Sequence, residues 1–118
     1  MGKIRSVKRG EVYLVNFDPT IGSEIRKIRP ALVIQNDVGN RYSPATIVAA
    51  ITSKYDDELY PTEVMIRTGE GGLSQDSVVT FDQIRTIDKT RIVKKLGAVS
   101  EVTMRRAESA LKISLGLR

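Results

Sequence analysis

The chain has 118 residues, a net charge of +5 and a pI of about 9.7, and it contains neither His nor Cys. This length suits one domain, expected over residues 1–118, and the missing Cys excludes disulfides, zinc–thiolate sites and thiol nucleophiles. A positive surplus attracts polyanions, although an ordinary basic domain with no such partner has the same composition. No signal-peptide pattern or membrane-length apolar run is visible, so we expect a cytoplasmic protein.

The first half of the chain predicts three short strands separated by turns. Apolar alternation and continuous apolar runs indicate the strands, while polar segments with Gly, Asn, Ser and Pro indicate loops. Pro30 restricts Arg29 to an extended conformation and suits the start of a strand. The predicted strands are residues 11–17, 31–34 and 46–52, and the predicted loops are residues 23–28 and 37–44.

The second half predicts two more strands and a terminal helix. The strands cover residues 63–67 and 77–81, the glycines of residues 69–72 predict a loop, and residues 82–88 fit either a strand or a tight turn. Ser100 is a good N-cap, and apolar residues then recur at helical spacing. Short strands followed by one amphipathic helix predict an α+β, mainly β fold, with a strongly bent antiparallel sheet or small barrel.

An ordered series of short motifs covers nearly the whole chain and resembles the MazF/PemK (Kid-like) family of type II toxin–antitoxin endoribonuclease toxins. Each motif is common when taken singly, but the ordered set at this spacing is specific. The matching pieces are Arg9-Gly10-Glu11-Val12-Tyr13, Asp18-Pro19 with Gly22-Ser23-Glu24, Arg29-Pro30-Ala31-Leu32-Val33-Ile34, Gln35-Asn36-Asp37, Ala50-Ile51-Thr52-Ser53, Pro61-Thr62-Glu63-Val64 and Asp82-Gln83-Ile84-Arg85-Thr86-Ile87-Asp88.

The resemblance implies an SH3-like small barrel with a C-terminal helix, a homodimer, and an mRNA interferase, meaning a sequence-specific endoribonuclease that cleaves single-stranded RNA. In such a reaction the RNA 2′-OH attacks the phosphorus and leaves a 2′,3′-cyclic phosphate and a 5′-OH end. The resemblance also implies inhibition by a cognate antitoxin with an acidic C-terminal segment. It implies neither a metal nor a cofactor.

The resemblance places the catalytic roles on Arg29, Thr52 and Glu24. A guanidinium can hold two phosphate oxygens, and a hydroxyl at a strand end can donate to a third. Arginine is a poor proton-transfer group because its pKa lies above about 12, so Glu24 is the candidate general base. The alternatives are a surface arginine in a salt bridge, a structural strand threonine and a solvated loop carboxylate.

A second set of residues is expected to contact RNA without doing chemistry. Gln83 and Arg85 share one face of an extended segment, Ser53 could share the role of Thr52, and Tyr42 is the candidate for stacking on a base. Asn36 and Asn40 could read base edges, although both are also ordinary turn residues, and Tyr13 and Phe17 are expected in the core. The complete predicted set of RNA contacts is Ser23, Asn36, Asn40, Tyr42, Ser53, Gln83 and Arg85.

Two other functions fit parts of the same sequence. One is a non-enzymatic toxin or binding module on the same fold, directed at gyrase or nucleic acid, since a fold does not determine an activity. Another is a basic domain that binds nucleic acid through charge and forms no product. The Arg29 and Thr52 motifs favour the nuclease over both.

Overall fold

The computed structural model describes residues 6–17 and 28–118, and these residues form an antiparallel six-stranded sheet and two α-helices. The order of strands across the sheet is β4-β5-β3-β2-β1-β6. The strands are β1 (Glu11–Asn16), β2 (Ile28–Val33), β3 (Ala45–Thr52), β4 (Glu63–Ile66), β5 (Ser77–Asp88) and β6 (Ile92–Ala98); the helices are α1 (Asp37–Tyr42) and α2 (Glu101–Leu115). Two 3-10 turns, Glu70–Gly72 and Lys89–Arg91, precede β5 and β6.

Alternation along the strands separates the core into two apolar clusters, one on each face of the sheet. On the face that α2 covers, Leu32 and Ala49 pack with Ala107 and Ala110 of the helix. On the other face, a smaller cluster joins five residues of the first three strands: Tyr13, Val15, Ala31, Val33 and Val48. The predicted core positions of Tyr13 and Phe17 are confirmed, since both side chains are buried.

The longest strand of the sheet, β5, carries an irregularity of the kind that bends a strand locally. Ala49 pairs with Ile84, whereas the next residue, Ala50, pairs with Thr80, so three residues of β5 bulge between these two pairs. At the far edge, the turn Glu70–Gly72 packs against β6. The predicted mainly β class with a C-terminal helix is confirmed, but within the described residues no strand pairing closes the sheet into a full barrel.

The helix α2 confirms the prediction made from the sequence. The side chain of Ser100 accepts a hydrogen bond from the Thr103 N–H at 3.1 Å, and Gly116 ends the helix in the left-handed region. The hydroxyl of Ser114 donates to the Phe81 carbonyl at 2.6 Å and fixes the end of the helix to β5. In the part of the chain that the structure describes, neither helix is long and apolar enough to cross a membrane.

Two elements differ from the sequence predictions. The predicted loop 37–44 contains α1, because the side chain of Asn36 caps its first turn by accepting from the Gly39 N–H at 2.8 Å. The strand β6 lies in a segment for which the sequence made no prediction. Its pairing with β1 contains two register shifts, which break the alternation that identifies a strand. The ambiguous residues 82–88 continue β5.

We expect Gly72→Ala to lower the free energy of unfolding by about 3 kcal/mol or more, through left-handed strain and a steric clash. Gly72 has φ +73°, and a Cβ there would lie 1.9 Å from the Leu96 carbonyl oxygen. The matched control is Gly69→Ala, which has φ +98° but open space around the Cβ, and it should cost only about 1 kcal/mol. Urea denaturation measures both, and equal losses would contradict the close approach to β6.

We also expect Glu11 to make stability depend on pH. Partial burial would raise the pKa of Glu11, but hydrogen bonds from Lys95, Tyr13 and the Lys8 N–H outweigh this effect and lower the pKa below 4.5. A lowered pKa in the folded state adds stability above the unfolded value of 4.5, and this stability is lost as pH falls through the folded value. Urea midpoints of the wild type and Glu11→Gln should therefore differ at pH 7 and converge in acid; a constant gap would contradict this linkage.

Candidate functional site

A cavity of about 410 Å³ opens at one end of β2 and β3 and contains four of the residues that the sequence singled out. Arg29 comes from the start of β2, Thr52 from the end of β3, and Gln83 and Arg85 from β5. The remaining wall includes Phe17 and Thr80, which sequence reasoning did not assign to a site. Residues far apart in the chain thus converge on one opening.

Strand register explains why Arg29 and Thr52 meet. In the antiparallel pair β2–β3, Ala31 lies opposite Ala50, and continuing that register by two residues sets Arg29 opposite Thr52. Because side chains alternate between faces, both project from the face opposite α2. The bulge in β5 then brings Gln83 to the same opening.

The hydrogen bonds of the cavity leave its donors available to a ligand. The Thr52 Oγ1 accepts from the Lys54 N–H at 3.1 Å, so the hydroxyl proton is free to be donated outward. Arg29 is exposed and forms no ion pair with any described residue. These groups form an electropositive patch suited to an anion.

Arg85 is held rigidly against the wall of the cavity. Its Nη1 donates to the Phe17 carbonyl oxygen at 3.2 Å, and its guanidinium lies 5.3 Å from the centre of the Phe17 ring. A guanidinium has five N–H donors, so several remain for a ligand. Thr80 is likewise fixed, since its hydroxyl donates to the Ala50 carbonyl at 3.0 Å. Phe17 therefore serves the core and also orients a cation at the site.

Two guanidinium groups, a hydroxyl and an amide around one opening can bind a phosphate group and stabilise added negative charge on it. No carboxylate of the described residues lines the cavity. In residues 6–17 and 28–118 there is also no group of three acidic side chains that could hold a metal ion. Ser23 and Glu24, the predicted contact and candidate general base, lie outside the described residues.

Ser53 and the residues of α1 do not line this cavity. Ser53 follows the end of β3 and lines a separate opening of about 160 Å³ with Pro30 and Gln75. The helix α1 follows the opposite end of β2, so Asn36 and Tyr42 lie away from Arg29. The exposed side chain of Asn36 is committed to capping α1.

The structure contradicts the prediction that Asn40 reads a base edge. The residue is only 2% exposed. Its Nδ2 donates to the Gln35 carbonyl at 3.0 Å and to Asp37 Oδ1 at 3.1 Å, while its Oδ1 accepts from the Thr46 hydroxyl at 2.6 Å. Asn40 is therefore a buried structural residue that holds the β2–β3 connection together through hydrogen bonds. The sequence could not reveal this, because Asn is equally common in exposed turns.

A family model and two relatives of known name indicate the same protein family. The family model of the PemK-like, MazF-like toxin of type II toxin–antitoxin system matches residues 8–115. The chain is 48% identical over 111 residues to endoribonuclease EndoA of Bacillus subtilis, covering 94% of this chain and 96% of that protein. It is 47% identical over 111 residues to endoribonuclease MazF of Staphylococcus saprophyticus, covering 94% and 92% of the two chains.

Two solved structures have the same fold. The MazE–MazF crystal structure (Form-II) from Deinococcus radiodurans superposes with a TM-score of 0.81 at 26% identity, covering 97% of this chain and 99% of that one. An endoribonuclease in complex with its cognate antitoxin from mycobacterial species gives a TM-score of 0.80 at 26% identity, covering 95% and 97%. The similarity therefore extends over 95–97% of this chain.

Proposed function

The chain belongs to the family of PemK-like, MazF-like toxins of type II toxin–antitoxin systems, and we propose that it is an endoribonuclease that cleaves single-stranded RNA. The observation that carries the proposal is the cavity in which Arg29, Thr52 and Arg85 converge. Curated relatives at 47–48% identity are named endoribonucleases, which agrees with a site built for phosphate. The substrate class is mRNA and other unpaired RNA.

In the proposed reaction the RNA supplies the nucleophile. The 2′-oxygen bonds to the adjacent phosphorus, the bond from phosphorus to the 5′-oxygen breaks, and a cyclic phosphate and a 5′-OH result. The 2′-OH proton passes to a base, and the departing 5′-oxygen receives a proton. No external nucleophile or metal is part of this scheme. The protein therefore has to align the 2′-oxygen with the phosphorus, neutralise the negative charge of the phosphate group and transfer the protons.

The cavity residues divide these tasks. Arg29 and Arg85 bind the non-bridging phosphate oxygens and stabilise the phosphorane as its negative charge grows, while Thr52 donates its hydroxyl proton to the same group. Gln83 holds the nucleotide beside the scissile phosphate. Glu24, with Ser23 next to it, is proposed as the general base, because the described lining of the cavity contains no carboxylate.

The remaining assignments concern partners and location. One solved relative is an endoribonuclease in complex with its cognate antitoxin, and we infer a cognate antitoxin here, with an acidic C-terminal segment that competes with RNA for the positive cavity. A homodimer and a cytoplasmic location complete the proposal. Exposed Asn36 and Ser53 are proposed as further contacts for RNA that extends beyond the cavity.

We expect Arg29→Ala to reduce the cleavage rate of single-stranded RNA by about 10²–10³-fold, because the phosphorane loses an aligned cation. The matched control is Arg105→Ala, which removes the same charge from an exposed position of α2 and should cleave like the wild type. Gel analysis of a labelled RNA of mixed sequence measures the rate. Equal cleavage by the wild type and Arg29→Ala would rule out the proposed role of the cavity.

We expect a substrate with 2′-deoxyribose at every position to resist cleavage while still binding, since it lacks the nucleophile. EDTA should leave the rate on ordinary RNA unchanged. Product ends can be read by enzymatic labelling, which requires a free 5′-OH. Cleavage of the deoxy substrate, or products with a 5′-phosphate, would contradict attack by the 2′-OH.

A further inference from the structure

A second and larger cavity, of about 730 Å³, lies beside α1, at the other end of β2 and β3. Its lining includes three cationic side chains, Lys8, Arg41 and Lys89, against a single carboxylate, that of Asp37. None of these residues belongs to the site described above. The cavity contains a buried cation, Lys89, and an exposed aromatic ring, Tyr42.

Lys89 is a buried cation without a described counter-ion. It is only 7% exposed, and its ammonium donates to the carbonyl oxygen of Asn40. None of the ion pairs among the described residues involves Lys89. A buried charge that is compensated by a neutral carbonyl is costly, and an anion in the cavity would relieve that cost.

The carboxylate at this cavity is already committed to the protein. Asp37 Oδ1 accepts from the Arg9 N–H at 2.7 Å and from Asn40 Nδ2 at 3.1 Å. It therefore fixes the wall that holds Asn40 beside Lys89. Lys8 and Arg41 are exposed at the same opening, so the lining keeps a surplus of positive charge.

Tyr42 offers a flat surface next to these charges. Its side chain is 75% exposed, and the Arg41 guanidinium lies 5.4 Å from the centre of its ring. An exposed ring beside cations is the arrangement with which proteins hold single-stranded nucleic acid, by stacking on a base while the cations meet the phosphates. An acidic peptide would satisfy the charges but would leave the ring unused.

The end of β5 and the 3-10 turn that follows it connect the two cavities. Arg85 lines the first cavity, and Lys89, four residues later, lines the second. At about 3.3 Å per residue the separation is roughly 13 Å, which a few nucleotides span. Arg85 and the buried Ile87 project from the face of β5 opposite α2, whereas the exposed Thr86 and Asp88 project from the other face, so Lys89 continues the Arg85 face beyond the end of the strand.

We propose that the cavity beside α1 binds the RNA strand flanking the cleavage point, with a phosphate against Lys8, Arg41 and Lys89 and a base stacked on Tyr42. The proposal rests on the function proposed above and extends the substrate site beyond the scissile phosphate. It gives Tyr42 a role in affinity for long RNA, separate from the chemistry at Arg29 and Thr52.

The test measures binding of fluorescent 2′-O-methyl oligonucleotides of mixed sequence, which lack a free 2′-OH, to the full chain. One probe has about ten nucleotides and the other about three, within and below the usual site sizes for single strands. Tyr42→Ala should weaken binding of the long probe by about 5- to 100-fold, Tyr42→Phe should preserve it, and the short probe should be less affected. Arg41→Ala should lower the slope of log affinity against log salt by about 0.7.

Arg105→Ala is the charge-matched control and should bind both probes like the wild type. Unchanged binding of the long probe by Tyr42→Ala and Arg41→Ala would overturn the proposal. If Tyr42→Ala and Arg41→Ala lost affinity for a polyglutamate peptide but not for the long probe, the proposal would be overturned in favour of a protein partner. Cleavage of ordinary RNA, assayed in parallel, reports separately on the proposed function, because the binding result does not require that the wild type cut RNA.

Discussion

The antiparallel pairing of β2 with β3 is the constraint on which both cavities depend. Ala31 of β2 lies opposite Ala50 of β3, and the strand pair extends from these residues toward two ends. One direction ends at Arg29 and Thr52, and the other ends at the connection that contains α1. A slip of one residue would turn Arg29 and Thr52 to opposite faces, since side chains alternate along each strand. The buried apolar residues of β2 and β3 fix the register, and the register fixes the cation beside the hydroxyl.

The bulge in β5 adds the remaining part of the site. If β5 paired regularly with β3, the shift between Ala49 and Ala50 would be absent and Gln83 would take a regular place in the ladder. The extra residues instead bring Gln83 to the cavity, while Arg85 remains on the face where it stacks on Phe17. A local irregularity of the sheet therefore supplies residues that regular strands would not bring together.

Rigid positioning of charge is common to both ends of the sheet. Arg85 is held by a carbonyl and a ring, and Lys89 is held by the carbonyl of Asn40. Neither cation pairs with a described carboxylate. Cations oriented by neutral groups keep their full charge for an anionic ligand, which suits a protein whose net charge is +5.

The sequence by itself determined most of the local elements and singled out four of the cavity residues, Arg29, Thr52, Gln83 and Arg85. Apolar alternation predicted β1, the apolar run after Pro30 predicted β2, and the N-cap at Ser100 predicted α2, because those signals lie within a few neighbouring residues. Only the tertiary structure decided the role of Asn40, the strand β6 and the place of Thr80 in the cavity. Each depends on partners distant in the chain, and the pattern of nearby residues does not encode such partners.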